Sequence, residues 1–436
     1  VIGGLAFEPH VQGGGSSHVN DAGAQNFIDC LKQKFDVSAE RGYRTDGKYS
    51  KKLHSRALAL AARTGRVIYF MGLTDSEDAE GADRATLALP ECQVRLLREM
   101  HGAGARITVV LCAGSAVDCG WDRYADAVLY MPLTGAGSGV AAASLLCGES
   151  VPSGKLAQTF PLSYADVPCG GDMTADAYGC DYAEDIFVGY RYYDAAGIAV
   201  KYPFGHGLSY TKFEYSGLAC NDGQVSFKIK NTGSAGGAEV VQLYMSLPEC
   251  GAAVAEKQLA AFKKVYLAAG EERTVTLVPD ISALRVYCEG EGRFEVFGGE
   301  YGVKVGSSSR DFRLEGQMYI DGALPGEGNS AAERVRILSA ARGNRAPAAE
   351  NTENNAGRRE KKEITLHSPL IDLKCARGAA GRLIYKLADI FCTASGQTAM
   401  LTFRYITVRS AMQYAGFCLA RAHGFVDICN GRFFKG

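Results

Sequence analysis

The sequence predicts an α/β domain, followed by an all-β sandwich and a short helical C-terminal tail. Strand-like apolar runs alternate with helical patterns in residues 1–215, which is typical of an α/β sandwich, a mainly parallel sheet with helices on both faces. Apolar and polar residues alternate in short runs within residues 216–321, which is typical of a small β-sandwich. Helical spacing returns in residues 364–436.

The α/β domain is predicted to begin with a strand stub at residues 1–3, which leads to a glycine-rich loop at 13–17. The elements predicted after this loop are a helix at 22–35, a strand at 66–70, a helix at 91–101, strands at 107–112 and 125–130, and a helix at 135–146. The glycine-rich loop lacks the Gly-Lys-Ser/Thr ending of a phosphate-binding loop, and its spacing does not fit GxGxxG. A nucleotide-binding α/β protein is therefore a disfavoured interpretation.

The second half of the chain is predicted to contain three further segments. The predicted strands of the sandwich are residues 225–230, 239–245, 273–278 and 293–297. Residues 322–363 are predicted to form a disordered linker, because they are rich in small and polar residues and have almost no large apolar residue after position 340. The tail, residues 364–436, shows helical patterns at 379–393 and 408–422, and no chemistry is assigned to it.

The charge balance excludes two classes of partner. The chain has 47 Lys and Arg against 48 Asp and Glu, a formal net charge of −1. A nucleic-acid partner or an anionic membrane surface requires a basic field, so neither is expected. No apolar stretch in the sequence reaches the roughly 20 residues that a membrane-spanning helix needs.

The cysteines and histidines indicate a cytoplasmic protein without a metal or another cofactor. None of the 14 cysteines forms a CxxC pair, and several, such as Cys112, lie in apolar runs typical of buried thiols in a reducing compartment. Pairing of Cys169 with Cys180 is the alternative for an exported protein. The following histidines have no carboxylate at ligand spacing in the sequence, and no metal site is expected at them: His10, His18 and His206.

A run of acidic residues follows the strand predicted at 66–70. It contains Asp75, Glu77, Asp78 and Glu80, and it ends in Glu80-Gly81-Ala82-Asp83-Arg84. The loop after a parallel strand is where α/β domains present chemistry, because the carboxyl ends of the strands lie at one edge of the sheet. The sequence therefore predicts a functional site on this acidic loop.

Four segments together resemble motifs of glycoside hydrolase family 3, in the same order and with the same spacing. Residues 71–90 are similar to its ExEGxDRxxLxLP signature. The other three are similar to LFGxxxPSGKLxxTFP at 147–161, GYRYYD at 189–194 and YPFGxGLSYTxF at 202–213. The resemblance implies that residues 1–215 form the family's α/β domain and residues 216–321 a fibronectin type III-like domain. The ending, residues 427–436, is similar to the NGxxFKG tail of clostridial-type family members.

The resemblance also implies roles for residues of the acidic loop. Glu80 is similar to the proton donor of the family, which acts as general acid and base. Asp78 is the second candidate, because it occupies the place of the first acidic residue in ExEGxDR, and Glu77 is a further alternative. Like-charge repulsion from the neighbouring carboxylates is expected to raise the pKa of Glu80. Asp83 and Arg84 are expected to form a structural pair that holds the loop.

The catalytic nucleophile that the family implies is missing from the sequence. In the family it resembles an Asp in an SDW-type motif on a preceding (β/α)8 barrel, whereas Trp121, the one tryptophan, follows Cys119-Gly120. No eight βα repeats are present, and the chain begins with Val1. We therefore expect the C-terminal part of a longer retaining β-glycosidase, inactive alone, that acts on a β-linked oligosaccharide or an aryl or alkyl glycoside together with an upstream barrel. The alternative is a carbohydrate-binding or scaffold module without chemistry.

Overall fold

The computed structural model describes residues 1–13, 19, 23, 25–79, 84, 86–168, 182–288, 291–324 and 330–343, and four positions beyond them, 373, 382, 383 and 386. Its helices are α1 (Gly4–Phe7), α2 (Phe27–Lys32), α3 (Lys51–Thr64), α4 (Glu91–Gly102), α5 (Ser138–Leu146), α6 (Tyr190–Ala195) and α7 (Ser330–Gly343). None of the helices in this described part is both long and apolar enough to cross a membrane.

The first domain is built on a parallel sheet in the order β1 (Arg66–Gly72), β2 (Arg106–Cys112), β3 (Ala127–Tyr130). Ile2 forms a parallel bridge to Tyr69, so the N-terminal stub extends the sheet on the free side of β1. Apart from their first residues, β1 and β2 are almost entirely buried, because helices cover the sheet: α3 packs against α4, and α2 against α5. The predicted α/β fold class is confirmed.

Two helices of this domain differ from the predictions. The helix α2 begins at Phe27 rather than at residue 22, because the side chain of Asn26 accepts a hydrogen bond from the Ile28 backbone N–H and caps the helix there. The helix α3 was not predicted from the sequence. Its buried face carries His54, Ala57, Leu60 and Ala61 at helical spacing.

The second domain is the predicted antiparallel sandwich. One sheet has the order β10 (Glu272–Leu277), β7 (Gln224–Asn231), β6 (Phe213–Asn221), and the other the order β14 (Asp311–Ile320), β13 (Gly299–Ser308), β8 (Gly237–Ser246), β9 (Gln258–Leu267). Short strands complete the structure: β4 (Phe160–Pro161) pairs with β5 (Val200–Tyr202), and β11 (Val286–Cys288) with β12 (Arg293–Glu295). Alternate residues of β7 (Val225, Phe227 and Ile229) point into the core between the sheets.

The helix α7 corrects part of the linker prediction for residues 322–363. Ile337, Leu338 and Ala341 lie on one face of α7 and pack into a cluster with Tyr192 and Tyr193 of α6. Three apolar side chains on one face are enough to anchor a short helix, although the segment as a whole is polar. Of the predicted tail, only residues 373, 382, 383 and 386 are described, and the last three are helical. The rest of the tail prediction lies outside the described residues.

Buried polar contacts join the two domains. Gln242 of β8 donates from Nε2 to the Gly205 carbonyl oxygen, at 3.1 Å, and Lys155 lies 2.8 Å from Glu239. Asp194, at the end of α6, binds two cations of the sandwich at once. These contacts connect elements far apart in the sequence, so the sandwich and the α/β domain hold each other in place.

Candidate functional site

The acidic loop leaves the sheet at Gly72, the last residue of β1. The side chain of buried Gln93 holds this point, because its Oε1 accepts from the Gly72 N–H at 2.8 Å and its Nε2 donates to the Gly72 carbonyl at 3.0 Å. A Cβ atom at position 72 would lie 1.7 Å from the Cys112 carbonyl oxygen, so only glycine fits. The ends of β1 and β2 therefore lie against each other, and the loops that follow them meet at one edge of the sheet.

The buried imidazole of His10 lies between two carboxylates of the acidic loop. Its Nδ1 is 2.9 Å from Asp75 Oδ1, and its Nε2 is 2.9 Å from Asp78 Oδ2. The side chain of His10 is 2% exposed and that of Asp78 9%, whereas that of Asp75 is 88% exposed. Ionised carboxylates only accept hydrogen bonds, so both ring nitrogens must donate, and His10 must carry both protons and a positive charge.

The backbone of the loop after β2 provides a second contact to Asp78. The Gly114 N–H donates to Asp78 Oδ2 at 2.7 Å. A Cβ atom at position 114 would lie within 3 Å of both carboxylate oxygens, so glycine lets the backbone approach Asp78 closely. Asp78 is thus bound from two sides, by the loop after the N-terminal stub and by the loop after β2.

The charges of this cluster shift its pKa values in opposite directions. Burial lowers the pKa of His10, but the hydrogen bonds to Asp75 and Asp78 outweigh it and raise the pKa to about 9. For Asp78, burial raises the pKa, but the hydrogen bonds from His10 and Gly114 outweigh it and lower the pKa below its usual value. Among the residues that the structure describes, Glu8 also interacts electrostatically with Asp75, and Arg84 with Asp78.

These shifts predict how the cluster's contribution to stability depends on pH. The His10 contribution is fully present below its unfolded pKa of about 6.5 and is lost as the pH rises through 9. The Asp78 contribution is fully present above its unfolded pKa of about 3.9 and is lost as the pH falls through its lowered value. We expect the free energy of unfolding of His10→Gln to lie about 2–3 kcal/mol below that of the wild type at pH 6, and the gap to narrow towards pH 10. Urea unfolding at several pH values measures this gap, and a gap independent of pH would contradict the assignment.

The remaining acidic candidates are placed differently. Glu77 Oε2 accepts hydrogen bonds from the backbone N–H of Thr74, at 2.9 Å, and from its hydroxyl, at 2.8 Å, so Glu77 closes a turn within the loop. Glu80 and Asp83 lie outside the described residues, and the proposed roles of both remain predictions.

Arg84 is half-buried behind the loop. Its Nη2 donates to the Ala116 carbonyl oxygen at 2.5 Å. Burial lowers the pKa of its guanidinium group, although Asp78 and Glu77 oppose this effect. Arg84 thus connects the acidic loop to the loop after β2, which agrees with a structural role. Its expected pairing with Asp83 involves a residue outside the described part.

His10 is the residue of this site that the sequence analysis missed. Because Asp75 and Asp78 are 65 and 68 residues away in the chain, no local spacing connects them with His10. The available signal was topological: His10 lies in the loop after the N-terminal stub, and the carboxyl ends of neighbouring parallel strands meet at one edge. No group of three or more His, Cys, Asp or Glu side chains suited to a metal ion occurs among the residues that the structure describes.

Comparisons with known proteins cover both domains. A model described as the glycosyl hydrolase family 3 C-terminal domain matches residues 1–210, and one described as the fibronectin type III-like domain matches residues 239–309. The crystal structure of a GH3 beta-glucosidase from Bifidobacterium adolescentis matches with a TM-score of 0.70 at 36% identity, over 76% of this chain and 51% of that one.

Two characterised relatives are equally similar in sequence. Thermostable beta-glucosidase B of Acetivibrio thermocellus is 36% identical over 337 residues, which are 74% of this chain and 45% of the relative. An exo-alpha-(1->6)-L-arabinopyranosidase of Bifidobacterium breve is also 36% identical over 337 residues, 74% of this chain and 44% of the relative. The chain therefore spans about half the length of the relatives that it matches.

Proposed function

The chain belongs to glycoside hydrolase family 3, and from this premise we propose that it supplies the general acid/base, Glu80, to a retaining β-glycosidase of the β-glucosidase type. The observation that carries the proposal is the sequence DAEGADR at residues 78–84, which resembles ExEGxDR with Asp in the place of the first Glu and follows β1 in the chain. The described part of this loop, up to residue 79, is fixed by His10, Gln93 and Gly114. Such fixation is what a general acid requires, because it must lie within hydrogen-bonding distance of the atom it protonates.

The chemistry divides between two carboxyl groups about 5 Å apart. The nucleophile, which we assign to an upstream barrel, attacks the anomeric carbon as the bond to the leaving oxygen breaks. Glu80 gives its proton to that oxygen, and it then takes a proton from the water that hydrolyses the glycosyl-enzyme. A proton donor must be protonated before the step, so it needs a raised pKa.

The surroundings of Asp78 support Glu80 over Asp78 as the acid. Asp78 accepts two hydrogen bonds, from the cationic ring of His10 and from the Gly114 N–H, and its pKa is lowered. An ionised carboxylate held in this way has no proton to donate. We therefore assign Asp78 to the structure of the loop.

The substrate class follows from the family only in broad terms. The two equally similar relatives are named as a beta-glucosidase and as an arabinopyranosidase, so the sugar is left open. We propose a β-linked oligosaccharide or an aryl or alkyl glycoside as substrate, and an upstream (β/α)8 barrel as partner. A carbohydrate-binding scaffold is the alternative, but such a scaffold has no need of a carboxylic acid at Glu80.

Reconstitution tests this function. Hydrolysis of 4-nitrophenyl β-glucoside is measured with the chain, with the barrel expressed separately from its parent gene, and with both together. Activity is expected only in the mixture. Glu80→Gln is expected to lower kcat by a factor of about 10²–10⁴, because the base that takes a proton from the water hydrolysing the glycosyl-enzyme is lost. Activity that survives Glu80→Gln but not Asp78→Asn or Glu77→Gln would assign the acid to that other residue. A bound barrel without activity would favour the scaffold.

We also propose a cytoplasmic location, which free thiols support. The cysteines described as free and buried are Cys30, Cys92, Cys112, Cys119 and Cys250. Cys169 and Cys180, the pair that export would oxidise, lie outside the described residues. Thiol labelling of the unreduced, denatured chain is expected to modify all 14 cysteines, and labelling of 12 would indicate the disulfide of an exported protein.

A further inference from the structure

We propose that His10 is a positioning residue for the proton donor. Its imidazolium ring binds the acidic loop at Asp75 and at Asp78, and Asp78 lies two residues before Glu80 in the sequence. The inference rests on the proposed function of Glu80 and adds to it a residue from a different loop. His10 does not touch the reacting atoms; it acts through the backbone of the loop that carries the acid.

The geometry supports a positioning role over a purely local ion pair. The acidic loop is held to neighbouring parts of the fold at its beginning, where Gln93 binds Gly72, and near the motif, where Gly114 and His10 bind Asp78. The side chain of Arg84 binds the Ala116 carbonyl beyond the described gap in the loop, whereas His10 reaches the loop from a different part of the chain and binds two of its carboxylates, three residues apart. A ring bound at both nitrogens cannot rotate without breaking one of the bonds, and its buried contact to Asp78 attaches the loop next to the motif.

The position of a general acid affects the rate steeply. Displacement of a catalytic group by about 1 Å can lower a rate by a factor of about 10². Asp78 and Glu80 are only two residues apart in the chain. Loss of the contact at Asp78 therefore frees the backbone directly beside the acid. Loss of the His10 contact should therefore lower the rate of the step in which the leaving oxygen is protonated, and should affect the other steps less.

The leaving group of the substrate separates this effect from general damage. Phenyl β-glucoside needs its departing oxygen protonated, whereas 2,4-dinitrophenolate is stable enough to leave without a proton. In the mixture of chain and barrel, His10→Gln is expected to lower kcat/KM by about 10- to 100-fold for the phenyl substrate. For the dinitrophenyl substrate we expect a change of about twofold or less, since that step does not depend on the acid.

Two further variants complete the test. His10→Arg keeps a permanent cation with several donors, and we expect kcat/KM for the phenyl substrate within about threefold of the wild type. His54→Gln is the matched control: His54 is equally buried and binds Glu99 at 2.8 Å, but between α3 and α4. This control is expected to lower stability without any dependence on the leaving group. If His10→Gln fails to fold, Asp75→Asn takes its place, because Asp75 is 88% exposed and its replacement removes one partner of the ring without disturbing the core. A loss of kcat/KM confined to the phenyl substrate supports the positioning role, and an equal loss for both substrates, or none for either, overturns it.

Glu80→Gln in the same assay distinguishes the two proposals. Suppose that Glu80→Gln lowers kcat/KM more for the phenyl than for the dinitrophenyl substrate, whereas His10→Gln lowers kcat/KM equally for both substrates or for neither. Then the role of His10 is overturned while that of Glu80 stands. If Glu80→Gln shows no such dependence, then the assignment of the acid fails, and the role of His10 fails with it.

Discussion

Replacement of Asp78 by alanine is expected to lower the free energy of unfolding by about 3–5 kcal/mol, because it removes one partner of a buried ion pair. The change removes the main buried counter-charge of His10 and leaves the Gly114 N–H without its acceptor. A buried N–H without a partner alone costs about 1–3 kcal/mol. Unfolding in urea, with a test that the slope of the transition is unchanged, measures the effect.

Asp75→Ala is the matched control, because both aspartates bind the same imidazole at 2.9 Å. Asp75 is 88% exposed, and an ion pair in contact with water contributes about 1 kcal/mol or less. Equal losses for the two variants would show that burial does not set the strength of these contacts.

The second large effect is expected at Asp194, which joins the domains. Its carboxylate lies 2.7 Å from Lys257 and 2.9 Å from Arg310, and its side chain is 5% exposed. Asp194→Ala would leave buried Lys257 without its counter-charge, and we expect a loss of about 3–5 kcal/mol in urea unfolding.

The control for Asp194 is Glu256→Ala. Glu256 binds Arg334 at 2.6 Å, but its side chain is 45% exposed, so a loss of about 1 kcal/mol or less is expected. A small effect at Asp194 would mean that the domains do not depend on this contact.

The elements that the sequence predicted well are those whose environment leaves a simple pattern. The strands β1 and β2 appear as continuous apolar runs because both faces of the sheet are covered. The helix α4 begins at Glu91, directly after Pro90. This start was expected, because proline is tolerated at the beginning of a helix but not in its interior. By contrast, α7 buries only three scattered apolar side chains, so its pattern falls below what periodicity can detect.

The site was predictable in part for a similar reason. A motif of consecutive residues points to Glu80 and Asp78, and the position of the loop at the sheet edge follows from the strand before it. The contact of His10 depends instead on how two loops meet after folding, and on a glycine at position 114 that lets Asp78 approach the backbone. Such contacts are fixed by tertiary structure, so local spacing cannot reveal them.

The packing of α7 on α6 has a consequence for cooperativity. The chain leaves α6, runs through the whole β-sandwich and returns to α6, so the sandwich is attached at both of its ends. A module attached at one end can open on its own, as a local unfolding event that leaves its neighbour intact. Here, opening of the sandwich must also separate the two helices and break the ion pairs of Asp194, so we expect the two domains to unfold in one transition.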